Sequence, residues 1–176
     1  MTDYTHYAAT HHPAVTPDFP DLETRATGQE PADTRLWLRM LSCCTLIENE
    51  LRSRLRSEFQ TTLPRFDLMS QLTHAPKGLK MSELSRLMMV TNGNITGITD
   101  QLEKDGLVER TKDDADRRSS LIRLTPKGRR YHRRMQRAHE SWIQSLLGGM
   151  APAARGTLFE LLGDLKQATY SRLPAL

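Results

Sequence analysis

Apolar positions recur at steps of three and four over most of the chain, with one short interruption where they alternate. From Asp33 or Thr34 to Phe59, the residues Leu36, Met40, Cys43, Ile47, Leu51 and Leu55 form one stripe, widened by Trp37, Leu41 and Cys44. This predicts a long amphipathic helix, and one too apolar for a small domain to cover on one side. Pro64 suits a first helical position, and Phe66, Leu68, Met69 and Leu72 predict a short second helix that closes through Ala75 to Gly78. Thr125-Pro126 is a helix start, and the helix it opens is expected to run to about Leu147, with Trp142, Ile143, Leu146 and Leu147 as its apolar end. Gly148-Gly149 breaks the chain. Pro152 opens a last helix with Leu158, Leu161, Leu162, Leu165 and Thr169 on its apolar side, ending before Pro174.

The middle of the chain carries the most specific pattern. Ser82 is expected to cap a short helix to about Met88, with Leu84 and Leu87 facing inward. Thr91 is a second cap, for a helix from about Asn92 to Asp105 with Ile95, Ile98 and Leu102 as its packing face and Asn92, Asn94, Thr96 and Thr99 as its polar face. Gly106 ends it, because glycine takes the left-handed conformation without a Cβ penalty. Leu107, Val108 and Arg110 then alternate outward and return as Leu121, Ile122 and Leu124, a hairpin with a charged tip against which Leu79 can add a short strand. Two helices and such a hairpin form a winged helix-turn-helix. The predicted fold is therefore mainly α with a small β wing, a winged helix-turn-helix core flanked by long dimerisation helices. Residues 1–32 form an N-terminal arm, 33–62 and 126–172 the helical dimerisation region, and 63–125 the DNA-binding domain. Gly93 and Gly97 each cost about 1 kcal/mol inside a helix, so close approach of the backbone to DNA is one reason to find them there.

Charge sharpens the picture. Residues 1–34 hold six acidic residues and one Arg, net −5, whereas residues 110–137 hold eleven Lys or Arg and three Asp, net +8. A basic segment of this density is the footprint of a polyanion partner. No apolar run reaches the length of a membrane span, and the start lacks a secretory pattern. The adjacent Cys43 and Cys44 make no disulfide framework, so a cytoplasmic location is expected, nucleoid-associated when DNA is bound. His6, His11 and His12 do not complete a metal ligand set; no metal or cofactor is expected. A phosphate-binding glycine loop, paired His at metal spacing and a Ser-Gly elbow are all missing, which argues against an enzyme.

The chain resembles the MarR family of winged helix-turn-helix transcription regulators over about residues 33–172. The resemblance rests on Leu84, Leu87, Val90, Thr91, Asn94 to Thr96, the run Gln101 to Arg110, Asp116-Arg117-Arg118 and Leu124 to Gly128. It implies a homodimer that binds operator DNA, usually repressing, and lets go when a small molecule binds between dimerisation and reading domains. It also implies that the Asp-x-Arg of the wing falls on Asp116 and Arg118, with the arginine in a minor groove; Asp116 can brace the Arg118 fork, and Arg117 adds donors. The family often has a basic or bulky residue where this chain has Gly97.

Candidate DNA contacts are Ser82, Thr91, Asn92, Gly93, Asn94, Thr96, Gly97, Asp116, Arg117 and Arg118. A candidate effector pocket, where the first, second and fifth helices meet, draws on Trp37, Met40, Cys44, Arg65, Phe66, Met69 and His139, apolar walls with a few polar groups. Arg65 suits a phenolic or aromatic carboxylate, since its fork binds both oxygens; pairing with an acidic residue is the plainer role. The partners expected are thus double-stranded operator DNA, a second copy of the chain and a small aromatic acid. Two alternatives stand beside this: a redox-responsive repressor using Cys43 and Cys44, and a dimeric interaction module without DNA binding. No basic residue adjoins either cysteine to lower its pKa, so helix packing is the role expected of both.

Overall fold

The computed structural model describes residues 30–112 and 120–172, which divide into two compact units, Met1–Glu50 and Leu51–Leu176. The N-terminal arm to residue 29, His6, His11 and His12 within it, and the wing tip 113–119 lie outside the described residues. In chain order the elements are α1 (Ala32–Phe59), α2 (Leu63–Thr73), β1 (Leu79–Lys80), α3 (Met81–Met88), α4 (Asn92–Lys104), β2 (Val108–Lys112), β3 (Ser120–Leu124), α5 (Pro126–Leu147) and α6 (Pro152–Tyr170). The fold is mainly α with a three-stranded antiparallel sheet in the order β1-β3-β2. Among the described residues, no helix is long and apolar enough to cross a membrane.

In the first unit, α1 leaves Leu36, Trp37 and Leu46 more than half exposed, while Ser42 is buried. Cys43 and Cys44 are both free and exposed within the single chain, on the same helix as the open Leu36, Trp37 and Leu46. A stripe of this width needs more covering surface than one chain places over it.

The second unit holds the core. Leu51 and Leu55 from α1 are buried with Phe66, Leu68, Met69 and Leu72 of α2, Leu84 of α3, Ile95 and Leu102 of α4, Ile122 and Leu124 of β3, and Met135 and Trp142 of α5. Each such side chain, fully buried, contributes about 1.5–3 kcal/mol. The hairpin register pairs Val108 with Leu124 and Arg110 with Ile122. Leu79 opposite Ile122 adds the third strand. By contrast α6 buries none of its side chains, and Phe159 and Leu161 are largely exposed.

One joint connects the reading elements to α5. The Thr125 hydroxyl accepts from Gly128 N–H at 3.0 Å, which caps α5, and donates to the Gly106 carbonyl at 2.8 Å. Thr125 N–H donates to the Leu107 carbonyl at 3.0 Å. Lys127 Nζ donates to the Asp105 carbonyl at 2.7 Å, at the C-terminus of α4, where a cation is favoured. Gly128 packs so tightly on Leu107 that a Cβ built on it would lie 1.9 Å from the Leu107 oxygen. The segments Asp105-Gly106-Leu107 and Thr125-Pro126-Lys127-Gly128 are two halves of a single lock.

Candidate nucleic-acid interface

Helix α3 starts one residue before its expected cap. Lys80 holds the extended N-cap backbone, and the Glu83 carboxylate accepts from Lys80 N–H at 2.7 Å. Ser82 is therefore an exposed residue inside the first turn rather than the cap. Only Leu84 of the two expected inward leucines is buried; Leu87 is 46% exposed. The short helix ends at Met88, as expected, and the chain turns at Met89, which closes α3 in the left-handed region at φ 55° and ψ 38°. The Val90 N–H donates to the Ser85 carbonyl and the Ser85 hydroxyl to the Val90 carbonyl, which fixes the turn.

Thr91 occupies the N-cap of α4 with extended backbone, but its hydroxyl makes no capping hydrogen bond. On α4, Ile95, Thr99 and Leu102 are fully buried, and Ile98 only partly. Thr99 was expected on the polar face. At 100° per residue it falls about 40° from Ile95 and about 60° from Leu102, on the same face, and its hydroxyl donates to the Met81 sulfur at 3.8 Å. The polar face is thus Thr91, Gly93, Asn94, Thr96 and Gly97, all exposed. The side chain of Asn92 lies outside the described residues, as do Asp116, Arg117 and Arg118.

A Cβ on Gly93 or Gly97 would meet no atom within 4 Å. Among the described residues, nothing requires glycine at either position. On the other flank Arg110 of β2 pairs with Asp100 and Glu103 of α4, which braces the helix against the hairpin. Across the ladder Arg123 Nε meets Glu109 at 2.8 Å. Part of the basic segment is therefore spent inside the domain, a division that net charge cannot reveal.

The residues expected at an effector pocket separate into different roles. In the first unit, Trp37 and Cys44 are exposed and Met40 partly buried. In the second, Met69 is fully buried core and Arg65 pairs with Asp105. Phe66 stacks on both His132 and His139, with centroids 5.3 and 4.9 Å away. His132, absent from the sequence-derived candidates, is 2% exposed, with Ser70 Oγ 2.9 Å from Nε2 and Thr73 Oγ1 3.2 Å from Nδ1. Each hydroxyl also donates to the carbonyl four residues back. A neutral ring has one N–H, so one hydroxyl must turn from its carbonyl to donate to the ring. That costs about one hydrogen bond, ~1 kcal/mol, less than burying an uncompensated charge. Burial, with the nearby His74, accordingly holds His132 below the ordinary imidazole value. His139 is lowered by burial as well, against a smaller raising effect of Glu140. Among the described residues, no group of His, Cys, Asp or Glu could hold a metal ion.

Comparison with known proteins follows this geometry closely. The model of the MarR family matches residues 61–120, which cover α2 to the start of β3. The transcriptional repressor MprA of Escherichia coli is 30% identical over 139 residues, covering 78% of this chain and 76% of that protein. The chain belongs to the MarR family. The family consists of non-catalytic DNA-binding proteins, so this MarR-family chain is not an enzyme. The transcriptional activatory protein BadR of Rhodopseudomonas palustris is 30% identical over 97 residues, 54% of this chain and 55% of that one. The chain spans about half the length of several curated relatives it matches. Among solved structures, the MarR-family regulator Sco3205 of Streptomyces coelicolor, crystallised with DNA, superposes with a TM-score of 0.69 at 22% identity, over 80% of this chain and 92% of that one. At that identity the match shows the fold.

Proposed function

We propose that the chain is a homodimeric transcription regulator that binds a pseudo-palindromic operator through α4 and the wing and is released by a small aromatic acid. The observation that carries the DNA reading is the face of α4 on which Asn94 and Thr96 stand exposed beside two glycines that no neighbour explains. Short polar groups there can reach base edges while the bare backbone lies close to the duplex. The crystallised likeness to a DNA-bound relative supports the same use of the fold.

Dimerisation follows from the uncovered apolar faces of α1 and α6, which a second copy would bury. A two-fold dimer sets two α4 helices into successive major grooves about one helical turn apart. Repression is favoured over activation because the match to MprA, named a repressor, spans 76% of that protein, against 55% of BadR, named an activator.

The test is a gel shift on the upstream region of the chain's own gene, with nonspecific competitor, repeated with hydroxylated benzoates and cinnamates. Gly97→Leu is expected to weaken specific binding at least about tenfold, the size of one lost base contact, while the fold keeps or gains about 1 kcal/mol. Arg118→Ala is expected to weaken it as strongly with the fold intact. Unchanged affinity in both variants would overturn α4 and the wing as the contact surface, and no specific shift from the parent chain would leave an interaction module without DNA binding. A shift insensitive to every aromatic acid but lost on oxidation would move the signal to the exposed thiols of Cys43 and Cys44.

A further inference from the structure

A cavity of about 530 Å³ lies within the second unit, where the end of α1, the start of α2, the end of α4 and the start of α5 converge. It belongs neither to the reading face nor to the uncovered apolar stripes. Its volume is in the range of small-molecule sites. Lys127, Arg130, Tyr131 and Arg134 line it from α5. They stand at i, i+3, i+4 and i+7, one face of the helix. Arg65 adds a fourth cation from α2, and Asp105 supplies the one carboxylate.

The charges in this cleft do not balance. Asp105 is already committed, its carboxylate to Arg65 and its carbonyl to Lys127. Arg130 and Arg134 have no carboxylate partner among the described residues. The Nε of Arg65 is buried with no acceptor. Three positive charges in excess around one cleft repel one another, and a buried donor is left unmatched.

We infer that the cleft is a binding site for a small phosphate-bearing molecule. A monocarboxylate needs only one guanidinium fork, whereas a phosphate dianion has the charge and the oxygens for two forks and an ammonium at once. The Tyr131 ring offers a flat surface beside them for an organic substituent. Duplex DNA is the other source of phosphate. The polar face of α4 ends near Gly97, and Asp105 lies eight residues on, about 12 Å along the helix axis, so the ligand is the free molecule. Asp105 closes α4, and a ligand that takes Arg65 or Lys127 from it loosens the end of that helix. In this respect the inference deepens the proposed regulator; binding itself does not depend on it.

The test is isothermal titration calorimetry on the full chain without DNA, at constant ionic strength, with phenyl phosphate and benzoate as probes. Phenyl phosphate is expected to bind once per chain and benzoate at least about tenfold more weakly. Arg130 and Arg134 are exposed, so the double variant R130Q/R134Q should fold, which circular dichroism checks. It is expected to lose phenyl phosphate binding at least about tenfold. The control R133Q/R137Q, which removes the same charge from positions of α5 outside the cleft, is expected to change it less than about twofold. No binding of phenyl phosphate, equal binding of benzoate, or equal loss in the two double variants overturns the inference. So does a drop in duplex affinity and salt slope in R130Q/R134Q without phenyl phosphate binding, which would make the phosphate that of DNA. Failure of the DNA reading would appear in the gel shift alone and leave the titration untouched.

Discussion

Adding one methyl group at Gly128 should unlock the joint between α5 and the reading elements. The Cβ of an alanine there would sit 1.9 Å from the Leu107 oxygen, 2.9 Å from its carbonyl carbon and 3.2 Å from its Cα. All three obstacles are backbone, so no side-chain rotation relieves them, and α5 must withdraw by about 1.1 Å to reach a 3.0 Å contact. Overpacking of this kind costs about 1–3 kcal/mol. The withdrawal also strains the bonds from Thr125 to Gly106 and Leu107, two contacts of about 1 kcal/mol each. The expected destabilisation of Gly128→Ala is therefore about 3–5 kcal/mol, read by urea denaturation at fixed protein concentration, since dimerisation makes stability concentration-dependent. For a chain of this length, the melting temperature should fall by about 6–20 °C. Gly97→Ala is the matched control. It is the same chemical change at a site with nothing within 4 Å, and helix propensity alone predicts a gain of about 1 kcal/mol. Opposite signs for the two variants support the lock. A Gly128→Ala variant within about 0.5 kcal/mol of the parent, the range of neutral surface changes, refutes it.

Met89→Gly should stabilise the fold by about 1 kcal/mol, because it removes the left-handed penalty from a residue whose side chain is 86% exposed; equal or lower stability in urea would show that the side chain has a contact worth more than the strain. Stability should fall as the pH drops below the ordinary imidazole value of 6.5. His132 and His139 titrate lower in the folded chain than unfolded, so the unfolded chain takes up protons first, and the stabilisation present above 6.5 is lost as pH falls through the folded values. Urea midpoints from pH 7.5 to 5 measure this, and His132→Asn should flatten the slope; an unaltered slope would place the titration elsewhere.

Local chemistry made much of this protein legible before its structure. Steps of three and four delimited α1 and α5, and Thr125-Pro126, Gly106 and Gly148 marked ends because backbone conformation at a cap is decided by the residue that occupies it. Alternation around a charged tip determined the hairpin, and the polar face of α4 followed from 100° per residue, apart from Thr99. A hydroxyl in a helix suits either solvent or an apolar stripe, and the same spacing sets Thr99 beside Ile95, where its hydroxyl meets the Met81 sulfur. Tertiary structure alone decided that Leu87 stays open, that Met89 turns left-handed, and that Lys80 rather than Ser82 holds the N-cap of α3. It also brought Arg65 to Asp105 across forty positions and Gly128 onto Leu107 across twenty-one. The reason is one of range. Propensity and periodicity act over a turn or two of chain, whereas an ion pair, a close backbone contact or a cleft depends on which distant segments meet, and no residue type encodes its partner.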